Sequence, residues 1–150
     1  MIKNEIEFIL NDNLIKIKDV DTNITVLNYL RSDKKLTGTK EGCASGDCGA
    51  CTAVTAELNN KKLKYKSINT CITFLYNLHG KQLIIVENIG KDKLHPVQKA
   101  MIDNDWSQCG FCTPGFVMAM FGMYKNKSKP TNTNIDEYLA GNLCRCTGYK

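Results

Sequence analysis

Glu41-Gly42-Cys43-Ala44-Ser45-Gly46-Asp47-Cys48-Gly49-Ala50-Cys51-Thr52 places three thiols within nine residues. A helix or a strand cannot aim all three at one point, since its side chains repeat every 3.6 or every two residues. The segment must therefore coil as a loop around whatever the thiols hold. Gly42, Gly46 and Gly49 supply positive φ and let backbone N–H groups come close. Ala44, Ser45 and Ala50 are small, as a tightly wrapped loop requires. A fourth thiol, Cys71 in Asn69-Thr70-Cys71-Ile72, returns after a 19-residue excursion.

Four further cysteines complete the eight: Cys109 and Cys112 in Gln108-Cys109-Gly110-Phe111-Cys112-Thr113-Pro114, then Cys144 and Cys146 in Asn142-Leu143-Cys144-Arg145-Cys146. The first four read C-x4-C-x2-C with a distant fourth, the plant-type [2Fe–2S] ligand spacing. The second four read C-x2-C and C-x-C, so another four-thiolate site is available. Zinc competes at both, because Cys48-x2-Cys51 alone satisfies one zinc half-site. The C-x4-C element lies outside the usual zinc-ribbon spacing, whereas at the second site spacing alone leaves zinc open. Loop N–H groups directed at the sulfurs would raise a cluster's reduction potential. Cys109 and Cys112 precede a helix whose N-terminal N–H groups and dipole favour a cluster of about −2 charge. Cys144 and Cys146, at i and i+2, share a side only in extended backbone, which turns Arg145 away from the thiols. Two such sites in one short chain point to electron transfer.

At 150 residues the chain forms one ordinary domain or two small ones. Each half would be roughly 70 residues, a size at which metals or disulfides usually help. Residues 1–5 lead into no apolar run, and no stretch approaches the ~20 apolar residues of a membrane span. The expected setting is the cytoplasm, where thiols stay reduced and metal use outranks disulfides. Net charge is +5, from 20 Lys+Arg against 15 Asp+Glu. The lysines are scattered, without the basic clusters and interleaved aromatics of nucleic-acid binding. Residues 61–66, rich in lysine, read as a strand with a solvated face.

Alternating apolar residues over 5–10 and 14–20 flank Asn11-Asp12-Asn13 and predict a hairpin. A short helix over 26–30 with Thr25 or a neighbour as cap follows. Strands 52–58 and 62–66 form a second hairpin around Asn59-Asn60, and 82–86 is a fifth strand. After Asn88-Ile89-Gly90 the pattern turns helical. Helix 97–101 is introduced by His95-Pro96, with a helix-start role for His95. Helix 115–124 is nearly all apolar and so buried on most sides. Helix 135–139, capped by Thr133 or Asn134, ends at Gly141-Asn142. Residues 126–134 form an exposed loop, and His79 lies in a surface loop. The whole is α+β, with a first domain over 1–87, a second over 88–150, and the boundary within 87–93.

GCASGDCGACT resembles the N-terminal ferredoxin domain of the molybdenum hydroxylases, the xanthine dehydrogenase and aldehyde oxidase family. QCGFCTPGF and NLCRCTGY resemble the second [2Fe–2S] domain of the same family, and together the resemblance covers essentially the whole chain. It implies a plant-type ferredoxin β-grasp domain followed by an all-α four-helix-bundle domain, each with one [2Fe–2S] cluster. Cys43, Cys48, Cys51 and Cys71 would ligate the flavin-side cluster, and Cys109, Cys112, Cys144 and Cys146 the molybdenum-side one. Gln108 and Cys146 would contact a molybdenum–pterin cofactor held by a large partner subunit. FAD would belong to a further subunit or to a C-terminal domain, since relatives continue beyond the point where Tyr149-Lys150 ends this chain, and the second domain is read as truncated there. The implied protein is a hetero-oligomer of xanthine dehydrogenase type, working in purine catabolism. This chain would carry electrons and hold no substrate site and no catalytic residue. A hydroxylase of aldehydes, nicotinate or carbon monoxide, a free-standing ferredoxin-like carrier and a zinc-stapled module are the other readings.

Overall fold

The computed structural model describes residues 5–90, 92–127 and 129–147. Residues 1–4 of the N-terminus, Lys91 in the boundary stretch, Ser128 in the helix–helix loop and residues 148–150 of the second cysteine motif lie outside them.

The first strands are β1 (Glu5–Leu10) and β2 (Asn13–Lys18), paired antiparallel from Glu5↔Lys18 to Leu10↔Asn13. Alternation buries Ile6, Phe8 and Leu10 on one face. The turn is two residues, and Asn11 takes the left-handed conformation at φ 57°. Helix α1 (Val26–Asn28) is capped by Thr25, whose Oγ1 accepts from Asn28 N at 3.2 Å. It widens over Tyr29–Asp33 into a π-type turn in which Lys34 N donates to Tyr29 O. Strands β3 (Thr52–Asn59) and β4 (Lys62–Asn69) form the second hairpin, and β5 is only Gln82–Ile84. Beyond it, Val86–Asn88 coils into a 3-10 turn where the strand was expected to continue.

The sheet order is β2-β1-β5-β3-β4, with β5 parallel to β1 and antiparallel to β3. The short β5 joins the two hairpins into one sheet. The Asn11 turn is stapled to it, since Asn11 N donates to Leu83 O at 2.7 Å and Asn11 Oδ1 accepts from Ile85 N at 3.2 Å. Both edges are lysine-bearing strands, which discourages pairing with another sheet.

One core packs Ile6, Phe8, Leu10 and Leu83 against Val26, Tyr29, Leu30, Leu75 and Leu78. The other face, Val54, Ala56 and Ile84, is covered by Met118 and Phe121. Those two belong to α3 (Thr113–Lys125), which follows α2 (Pro96–Asp103) and precedes α4 (Asn132–Leu139). Burying each of these side chains contributes on the order of 1.5–3 kcal/mol. Gly122 lets α3 approach the sheet, since a Cβ there would sit 2.9 Å from Ser67 Oγ. The first core draws on residues 6–85 alone, while the second is shared between the halves because α3 spends one flank on the sheet. Val97, Met101 and Val117 knit α2 to its other flank. His95 caps α2 as expected: Nδ1 accepts from Val97 N at 3.3 Å, and Gln98 Oε1 accepts from His95 N at 3.0 Å. The cap of α4 is Thr131, not Thr133 or Asn134; its Oγ1 accepts from Asn134 N at 3.3 Å. Among the described residues no helix is long and apolar enough to cross a membrane.

Candidate metal centre

The loop before β3 folds back on itself because Ala44 and Gly46 both take positive φ, 55° and 84°. That reversal turns successive N–H groups inward, a concavity that suits an anion. Cys43 Sγ accepts from Ser45 N at 3.4 Å, Asp47 N at 3.2 Å and Cys48 N at 3.4 Å. Cys43 N in turn donates to Cys48 Sγ at 3.4 Å. The other two thiols of this set meet across the sheet end, Cys51 Sγ and Cys71 Sγ being 3.3 Å apart. Thr70 secures that meeting with its hydroxyl, which donates to Cys51 O at 2.8 Å. Asn69 Nδ2 donates to Gly46 O at 2.6 Å and ties the Cys71 segment to the loop. Gly42 has no room for a side chain, since a Cβ would lie 2.7 Å from Cys48 Sγ.

The second set forms where three segments converge. Cys112 is the N-cap of α3, and Ser107 Oγ lies 2.8 Å from Thr113 Oγ1, closing the loop that carries Cys109. Cys144 and Cys146 leave α4 in a turn, held by Thr147 Oγ1 donating to Cys144 O at 3.2 Å. This corrects the extended backbone expected from their i, i+2 spacing: a side-chain-closed turn brings both thiols round. Arg145 accordingly lines the same space and does not simply turn away. Cys109, Cys112, Cys144 and Cys146 line a cavity of about 250 Å³ that reaches Gly42, Cys48 and Ala50 of the first loop. Phe111, half exposed, borders it. Gln108 lies exposed beside Cys109.

The thiols differ in acidity. Ser45 draws the Cys43 thiol down to about 5, through its hydroxyl and its N–H, helped by the N–H groups of Cys48 and Asp47. That hydroxyl has one proton and also lies 2.7 Å from Asp47 Oδ2, so the three backbone N–H groups are the firmer cause. Thr147, by hydroxyl and N–H, lowers Cys144 to about 7, and since the hydroxyl proton is directed at Cys144 O the N–H is the firmer cause. Burial pushes Cys71 up to about 12 and Cys112 up to about 11, each reinforced by its neighbouring thiol, Cys51 or Cys144. The Phe111 N–H lowers Cys109, with Cys146 as its thiol partner.

The donor chemistry fits a binuclear cluster. The first set falls into two pairs: Cys43 and Cys48 exchange N–H···S hydrogen bonds, and the Cys51 and Cys71 sulfurs lie 3.3 Å apart. Two irons sharing four thiolates need that pairwise spread.

Several site residues escape sequence reasoning. Asn142 Nδ2 donates to Gly49 O at 3.0 Å, and Leu143 N donates to Cys48 O at 3.0 Å, joining the two thiol loops directly. Gly115 and Gly49 make room, since a Cβ on Gly115 would collide with Gly49 O and one on Gly49 with Gly141 O. In sequence Asn142 reads only as a helix end. Nothing local signals that its partner lies 93 residues away.

Residues 8–76 match the family described as 2Fe-2S iron-sulfur cluster binding domain, and residues 85–150 the one described as [2Fe-2S] binding domain. The chain is thus an iron–sulfur protein of two [2Fe–2S]-binding domains. It is 48% identical over 148 residues to xanthine dehydrogenase of Emericella nidulans and 42% identical over 151 residues to aldehyde oxidase 2 of Rattus norvegicus. These alignments span 97% and 98% of the chain but 11% of each relative. Aldehyde oxidoreductase from Desulfovibrio desulfuricans superposes with a TM-score of 0.82 at 32% identity, over 97% of this chain and 16% of that one. Quinoline 2-oxidoreductase from Pseudomonas putida 86 gives 0.79 at 28%, over 97% and 85%. The chain belongs to the molybdenum hydroxylase family as an iron–sulfur region of it.

Proposed function

We propose that this chain conducts electrons from a molybdenum–pterin centre to FAD through two [2Fe–2S] clusters, within a hydroxylase of xanthine dehydrogenase type. In this reading Cys43, Cys48, Cys51 and Cys71 hold the flavin-side cluster. Cys109, Cys112, Cys144 and Cys146 hold the molybdenum-side one. The sheet and α1 are the β-grasp domain over 1–87. Helices α2, α3 and α4 are the described part of a four-helix domain over 88–150. The observation that carries it is the direct hydrogen bond from Leu143 N to Cys48 O, which joins a residue of one thiol set to the neighbour of a residue in the other. A carrier of single clusters has no use for that junction.

The clusters supply one-electron acceptance and release. The chain's residues set the terms. The three N–H groups on Cys43 Sγ favour added negative charge and so a higher potential. The first turn of α3 does the same beside Cys112. Cys43, Cys109 and Cys146 are exposed, so each set has an edge open to a partner. Gln108 and Cys146 would meet the pterin on the large subunit, and FAD would lie beyond the Cys43 loop. The 48% identity to the fungal xanthine dehydrogenase supports purine oxidation, while vertebrate xanthine dehydrogenases and aldehyde oxidases stand level at 43%; in this reading the complex is a cytoplasmic hetero-oligomer.

The test is purification from the native source under mild conditions. Molybdenum and FAD should travel with this chain, on the same polypeptide or on others, and xanthine should bleach its visible spectrum. A chain that runs alone with both clusters would make it a free carrier.

A further inference from the structure

We infer that Asn142 is a positioning residue that sets the separation of the two cluster loops; this rests on the two-cluster reading above. Its carboxamide reaches from the end of α4 into the first thiol loop. There Nδ2 donates to Gly49 O at 3.0 Å and lies 3.5 Å from Thr52 Oγ1. The Gly49 carbonyl also accepts from Thr52 N at 3.1 Å and Thr52 Oγ1 at 2.7 Å, so three donors hold one oxygen. With its proton committed to Gly49 O, the Thr52 hydroxyl has lone pairs left for Asn142. Gly49 is buried and pressed between Gly115 of α3 and Gly141 after α4, which leaves it no alternative seat. One residue on, Leu143 N donates to Cys48 O at 3.0 Å. The carboxamide thus fixes the strand of chain that presents Cys144 to the back of the loop that presents Cys48.

Neither hydrogen bond touches a sulfur. Loss of the carboxamide should change the distance and coupling between clusters while leaving each cluster's own ligands intact. Dipolar coupling between two reduced paramagnetic clusters falls with the cube of their separation, so it reads that distance directly.

The experiment compares the full iron-loaded chain with its Asn142→Asp and Asn142→Ala variants by low-temperature EPR after dithionite reduction. Asp keeps the shape but sets an oxygen against Gly49 O. Both variants should retain the wild-type iron content and both sets of g-values, with the mutual broadening of the two signals reduced. The Leu143 amide of the metal-free chain should exchange roughly five- to tenfold faster in Asn142→Ala, the factor expected for one lost hydrogen bond. Unchanged broadening in the loaded variants would overturn the inference, as would loss of the clusters, which would make Asn142 a folding determinant instead of a spacer. A wild-type chain that binds no iron would refute the two-cluster reading, and the exchange measurement would still decide whether the clamp exists.

Discussion

Gly115→Ala sets two effects of known size against each other. Gly115 sits in the first turn of α3 with no positive φ, so helix propensity alone favours alanine by about 1 kcal/mol. Packing opposes it. The new methyl would run into Gly49 O and lie 3.1 Å from Asn142 Nδ2, and the first of these is backbone that cannot swing aside. Overpacking of this kind costs about 1–3 kcal/mol, and loosening the Asn142–Gly49 hydrogen bond adds about 1 kcal/mol. The net expectation is a loss of roughly 1–3 kcal/mol, or about 3–10 °C in thermal midpoint for a chain of this size. Scanning calorimetry at matched iron loading measures it. Gly141→Ala is the control, since nothing lies within 4 Å of a Cβ there, and it should stay within about 0.5 kcal/mol of wild type. A Gly115→Ala chain melting at or above wild type would refute the close-packed junction of the three segments.

Other expectations are as direct. Cys71→Ser should remove or shift one reduced EPR signal and leave the other, while Cys112→Ser should do the converse. In the metal-free chain Cys43, drawn down to about 5, is thiolate at neutral pH, so it should alkylate first, with a rate that falls as pH drops through about 5. Because that folded value lies below the ordinary thiol value, the ionised Cys43 stabilises the metal-free fold above pH about 9, and this contribution disappears as pH falls to about 5. Cys71, held up near 12, should stay unreactive until the chain unfolds. His95→Ala should cost about 1–2 kcal/mol in urea denaturation, because it removes the α2 cap and the edge contacts with Phe121 and Tyr124 at 5.0 and 4.9 Å. His95→Asn should recover only the cap.

Much of the fold is legible in the chain because its signals are local. The Asn11 and Asn59-Asn60 turns and the flanking alternation mark both hairpins, and α3 announces itself by unbroken apolarity after Thr113-Pro114. Cysteine spacing is equally local, since ligands that share a loop must be close in sequence. What escapes is pairing at a distance. Nothing in Gln82-Leu83-Ile84 says that three residues will lie parallel to β1 and bridge two hairpins. Nothing in Met118 or Phe121 says that their helix will spend a flank on the sheet. The turn at Cys144–Thr147 was hidden because a threonine hydroxyl, not the i, i+2 alternation, decides the backbone there. The clamp at Asn142 was hidden for the same reason on a longer scale.

The central claim is that this chain holds two [2Fe–2S] clusters that each take one electron. A reductive titration with dithionite, followed by EPR alongside iron and acid-labile sulfide analysis, tests it most directly. The account predicts about four irons and four sulfides per chain, two electrons taken up, and two distinct S = ½ signals. A colourless, EPR-silent chain carrying zinc would contradict it.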